Sequence, residues 1–192
     1  FACDIFITIL HTTNTYMNLE WPHITQLPWT YSQKAIIKDL TDSIRVCSLI
    51  ISSILDTIDE KYVKQFIKWM KLVIDNIEQH YRIKHRYYFP KLKFPICNEL
   101  LEEFKPIHAL LIKSKQHTKK LSILKVKQEK NKETLHKYLT ELYADIQQII
   151  LLIKNNFKKE KNKLLPRMIR DIKYSDCLLY TSPSPRDKRQ SR

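Results

Sequence analysis

Glycine is absent from all 192 residues. Average usage is roughly 7%, so the absence excludes something. A sheet domain of this size needs glycine at hairpin turns and bulges, and the glycine-rich loops that cradle phosphates are ruled out. Long apolar runs are missing too, and none reaches the ~18 residues of a membrane span. Cysteine is scarce. The four, at positions 3, 47, 97 and 177, have neither metal-type spacing nor a disulfide-dense pattern, which suits a reduced, cytoplasmic setting. No Ser/His/Asp or Cys/His arrangement marks a nucleophile, so the chain does not read as an enzyme.

What is abundant is positive charge. Lysine and arginine number 34 against 20 aspartates and glutamates, a net charge of +14. The run KSKQHTKKLSILKVKQEKNK at residues 113–132 has the composition of a nucleic-acid or anionic-membrane patch. The Ile/Lys/Asn bias of the whole chain favours a solvated helix end and loop instead. Nucleic acid is therefore not the favoured partner.

The two ends stand apart. FACDIFITIL is too short, and lacks the basic flank, for a signal peptide. Met17 is the expected start of the domain, and residues 1–16 a doubtful extension. Residues 177–187, CLLYTSPSPRD, back-translate to the read-through of a transposase-type sequencing adapter. Residues 177–192 are accordingly expected to be a disordered tail with no core contact. This leaves one domain, residues 17–176.

Steps of three and four between apolar residues predict four helices. The first spans about residues 32–56, with Ile36, Ile37, Leu40, Ile44, Cys47, Ile51, Ile54 and Leu55 inward. A short connection at 57–60 leads to the second, whose stripe is Val63, Phe66, Ile67, Met70, Val73, Ile74, Ile77 and then His80. It should end near Tyr88, before Pro90. The third spans about 98–121 through Leu101, Phe104, His108 and Leu111, with a kink or a late start at Pro106. After a lysine-rich connection at 125–132, the fourth runs to Leu164 along Leu135, Leu139, Leu142, Ile146, Ile149, Ile153, Asn156 and Glu160. The expected fold is all-α, an antiparallel up-down four-helix bundle.

Helices two and four finish alike. NIEQHYRIKHRYYFPK (76–91) and LIKNNFKKEKNKLLPR (152–167) superpose at an offset of 76 residues, pairing His80 with Asn156, Lys84 with Glu160 and Pro90 with Pro166. In an antiparallel bundle both endings lie at one end of the core, within reach of His108 on helix three. Polar side chains converging there are how carboxylate-bridged metal sites are built, and an unpaired buried carboxylate is otherwise expensive.

With this ending, and with the lead-in Trp21 and Trp29, the chain resembles the hemerythrin-like (HHE cation-binding) family over roughly residues 20–170. The family signature is His-x-x-x-Glu closed by Phe-Pro on helix two, and a second His-x-x-x-Glu closed by an apolar-Pro step on helix four. The resemblance implies a bundle holding two irons, bridged by the two glutamates, that binds dioxygen or handles iron. It places metal ligands at His80, His108 and Glu160. Lys84 stands where the first glutamate belongs and Asn156 where the second histidine belongs, and helix one has no histidine. A di-iron site needs several imidazoles and hard carboxylate bridges, so these remnants would hold one metal weakly at best.

Two functional readings follow. One is a metal- or dioxygen-binding protein with a weakened site. The other is a degenerate bundle with a basic surface, serving as a structural or interaction module for an unidentified protein partner. If the metals are gone, Lys84 should lie within about 4 Å of Glu160, with Asn156 and His80 as hydrogen-bonding neighbours. His85 and His136 are expected to be solvated.

Overall fold

The computed structural model describes residues 28–53, 59–124 and 131–172. Ile54, Leu55, the 125–130 part of the lysine-rich connection, the side chain of Trp29, and the terminal segments 1–16 and 177–192 lie outside that set, and so do the expectations resting on them. Within it every regular element is helical, with no strand. None of these helices is long and apolar enough to cross a membrane.

Four long helices dominate: α1 (Pro28–Ser53), α2 (Glu60–Ile83), α4 (Pro95–Ile123) and α5 (Lys132–Lys159). Helix α2 begins after its N-cap, Asp59. Its carboxylate accepts the Lys61 N–H at 2.9 Å, filling one of the donors a helix start leaves open. Helix α4 begins with Pro95 in its first position, where a missing N–H costs nothing. It runs as one helix through Pro106, so the late start considered there is not seen, and the third helix begins earlier than expected.

Helices α4 and α5 pack together, as do α1 and α5, α2 and α4, and α1 and α2. Each long helix therefore covers two others. The core between them holds the α2 stripe in full, from Val63 to Ile77, and the α5 stripe Leu135, Leu139, Leu142, Ile146, Ile149 and Ile153. Burying a side chain of this size contributes roughly 1.5–3 kcal/mol, which is what fixes the faces these helices turn inward. On α4 the buried face is Leu100, Ile107, Leu111, Ser114, His117, Thr118 and Leu121. His108 is exposed instead, because Ile107 takes the inward position one residue before it.

The endings of α2 and α5 depart most from expectation. Neither helical run stops before its proline. Each passes into a five-residue π turn, Lys84–Tyr88 after α2 and Glu160–Leu164 after α5. Each then returns to α geometry in a short helix, α3 (Phe89–Leu92) or α6 (Leu165–Asp171), with proline second. The backbone pattern is the same in both copies. The Lys84 N–H points at the carbonyls of His80 and Tyr81, and that of Glu160 at those of Asn156 and Phe157. The Phe89 N–H returns to Lys84, and the Leu165 N–H to Glu160. A proline inside a helix lacks one N–H bond and crowds the carbonyl four residues back. In both copies the chain reaches its proline through a π turn, and the helix goes on. A small second cluster of Phe89, Ile96, Cys97, Leu100, Leu164, Leu165 and Met168 closes this end of the molecule.

Candidate functional site: a buried ion pair between two π turns

The π turns decide which side chains face inward. In an α-helix, residues five apart point about 140° away from each other. Yet Lys84 and Phe89 are both buried, and so are Glu160 and Leu165. The wider turn lets a charged residue and the following apolar one share the inner face. Single π turns often occur where a side chain is aimed at a task.

Lys84 and Glu160, the first residues of the two turns, meet in the interior. Lys84 Nζ stands 2.7 Å from Oε1 and 2.9 Å from Oε2 of Glu160, with side-chain exposures of 3% and 0%. The pair thus has almost no water to compete with it. Gln33, near the start of α1, donates its amide to Glu160 Oε2 at 2.7 Å. The ammonium also lies 5.0 Å from the ring centre of Tyr81 and 4.8 Å from that of Phe157, a contact that favours a desolvated cation. Burial pulls the Lys84 amine below the usual lysine range, and the Glu160 carboxylate opposes that pull. Taking two charges out of water is expensive, so such a pair stays in place only with good geometry and further hydrogen bonds.

The surroundings correct several expectations. Asn156 does not bond the ion pair. Its Oδ1 accepts the Tyr81 hydroxyl at 3.2 Å, and its amide donates to Glu103 at 3.4 Å. The α5 residue thus ties α2 to α4, a job its predicted place beside Glu160 did not suggest. Tyr81 is itself stacked on Phe104, 4.2 Å between ring centres. Its hydroxyl is pushed well above the usual tyrosine range by burial first, then by Glu160 and Glu103.

His80 sits edge-on to Tyr81 and Phe157, and its Nε2 is sealed from solvent with no hydrogen-bond partner. Burial, then the Lys84 charge, holds this imidazole well below its usual range. His85 is not solvated as expected. It packs edge-on to Phe104 at 4.7 Å, and its Nε2 is likewise buried and unpartnered, so burial and Lys84 lower it to about 4. His136 is exposed, as its position on α5 predicts.

These donors do not fit a di-iron centre. An ammonium lies against both oxygens of Glu160, His108 is on the surface, and His80 shares no hydrogen bond with either partner of the pair. Among the described residues no group of three or more His, Cys, Asp or Glu side chains is placed to hold a metal ion.

Sequence reasoning missed Gln33, although it lies three residues before Ile36 and seven before Leu40, on the inward stripe of α1. A second polar cluster was missed as well. On α4 and α5, His117 Nδ1 and Asp145 Oδ2 approach to 3.2 Å, His117 Nε2 is 3.2 Å from Glu141, and Lys113 reaches Asp145 at 2.8 Å. Asp145 precedes the apolar Ile146 directly, and periodicity assigned the inward place to Ile146 alone. No family model, no curated protein and no solved structure matches this chain.

Proposed function

We propose that the chain is a hemerythrin-like antiparallel four-helix bundle in which an internal cation stands in for metal, and that it serves as a structural or interaction module. The observation that carries this reading is the bidentate Lys84–Glu160 pair. The two residues occupy the positions at which the resemblance puts two metal-bridging glutamates. The Lys84 ammonium supplies positive charge at the point where bridging oxygens would otherwise face a cation. It also uses both oxygens of the single carboxylate that remains, and any metal ion approaching there meets electrostatic repulsion. The direction of the four helix contacts agrees. The site draws on the C-terminal ends of α2 and α5 and on the N-terminal parts of α1 and α4, through Gln33 and Glu103, as an up-down arrangement requires.

The test is metal content. The full chain, expressed in iron-supplemented medium and purified without chelator, should carry well under one iron per chain and no oxo-iron absorption band. Stoichiometric iron in the unmutated protein overturns the reading. The Lys84→Glu/Asn156→His variant restores both His-x-x-x-Glu pairs and should gain measurable iron.

A further inference from the structure

The same inward turn of Glu160 leaves a one-sided surface. The segment KNNFKKEKNK (154–163) has a single acidic residue, Glu160, and it is fully buried against Lys84. The charge that faces water along this segment is all lysine. On the α4 side those lysines find carboxylates, Lys159 pairing with Glu103 and Lys163 with Glu99. On the α1 side they do not. Between α1 and the second π turn lies a groove of about 400 Å³ lined by Thr30, Gln33, Lys34, Ile37, Lys38, Phe157 and Lys161. Three of these residues are cationic and none is acidic. Lys38 reaches Asp42 at 3.5 Å with most of its side chain exposed, a pair worth little. Lys34 lies over the Tyr31 ring at 5.6 Å, and neither it nor Lys161 has a carboxylate partner among the described residues. The floor is apolar, made by Ile37 and Phe157.

We propose that this groove binds a small phosphate ester whose phosphate is held by Lys34, Lys38 and Lys161 and whose apolar or aromatic body lies on Ile37 and Phe157. Ammonium groups hold phosphate as mobile point charges, and three lysines line this one concavity. The volume falls in the range of small-ligand sites. Tyr31, 57% exposed beside Lys34, offers a further face for a planar ring. This goes beyond the metal-free reading and does not rest on it: Gln33 and Phe157 touch both groove and ion pair, but the phosphate would be held by Lys34, Lys38 and Lys161, which are not part of the pair.

The experiment is calorimetric titration of the full chain at physiological salt with inorganic triphosphate, with a nucleoside triphosphate, and with vesicles containing an anionic phospholipid. Saturable one-to-one binding of the nucleoside triphosphate, at least tenfold tighter than inorganic triphosphate, is the expected result. It should weaken at least tenfold in Lys34→Gln/Lys161→Gln and remain within twofold in Lys68→Gln/Lys71→Gln, which removes the same charge from the exposed face of α2. Preference for vesicles over the soluble ligand, equal losses in both double variants, or no saturable binding would each overturn the proposal. Circular dichroism of both variants guards against misfolding, because all four lysines are on the surface.

Discussion

Gln33 and Glu160 are 127 positions apart in sequence and joined by a hydrogen bond of 2.7 Å. Through it the start of α1 is fastened to the far end of α5, at the one carboxylate that α2 also holds. Gln33 is 8% exposed and Glu160 0%, so water cannot replace the amide if it is removed. Gln33→Leu is expected to lower unfolding stability by about 1–3 kcal/mol, as for other buried acceptors that lose a donor. Urea titration measures it, and a change under about 0.5 kcal/mol would show that the amide is dispensable.

Removal of either charge alone should be worse. Lys84→Met leaves Glu160 as a buried carboxylate without its counter-ion, and a loss of about 3–5 kcal/mol is expected. Making the whole site apolar, with Gln33→Leu and Glu160→Leu added, should return stability to the parental level or above it, because the desolvation of both charges disappears with them. Thermal melts of the single and triple variants decide between this view and one in which the pair is a net stabiliser.

Acid sensitivity follows from His80 and His85. Both imidazoles are held below their usual range in the folded chain, His85 at about 4 against 6.5 when unperturbed. Between these values the unfolded chain binds protons that the folded chain refuses, so stability falls as pH falls. The loss should begin near 6.5 and level off, for His85, near 4. Urea midpoints measured across this window should drop steadily in the parent and more shallowly in His85→Phe, which keeps the ring packing and removes the proton site. Parallel curves for the two proteins would show that His85 does not contribute.

Lys93 offers a cleaner backbone test. It closes α3 in the left-handed region, with φ 52° and ψ 21°, and it is the only described residue there with positive φ. The position is one where helices usually end in glycine, and this chain has none. A left-handed L-residue carries a penalty of roughly 1–2 kcal/mol, part of which glycine returns through its freer unfolded state. Lys93→Gly should therefore raise stability by about 0.5–1 kcal/mol, visible as a higher melting temperature.

The helical class, the inward stripes of α2 and α5, and the meeting of Lys84 with Glu160 were legible because each rests on a period or a repeat. The stripes are long and regular, and the superposition of 76–91 on 152–167 pairs the two charged residues directly. The prolines misled. Pro90 and Pro166 read as helix ends, but the helix continues past each after a π turn, and no residue type specifies a π turn. His108 misled for another reason. The α4 stripe is interrupted by Pro106 and diluted by Ser114, His117 and Thr118, so although Leu111 is buried as expected, the inward place assigned to His108 belongs to Ile107. His85 is half-buried against Phe104, on a neighbouring helix, and the apolar stripe of α2 alone gives no sign of that contact.

Taken as two helical hairpins, α1 with α2 and α4 with α5, the molecule is a pair of halves that finish in the same backbone figure and carry opposite signs at its first residue. The sign matters more than the figure. Two copies of the first half, docked through this end, would bury one ammonium against another, and two copies of the second would bury carboxylate against carboxylate. Only the mixed arrangement neutralises both, and a desolvated charge left unmatched costs several kcal/mol. The buried charges of the two turns are thus matched only where the Lys84 turn of the first half meets the Glu160 turn of the second.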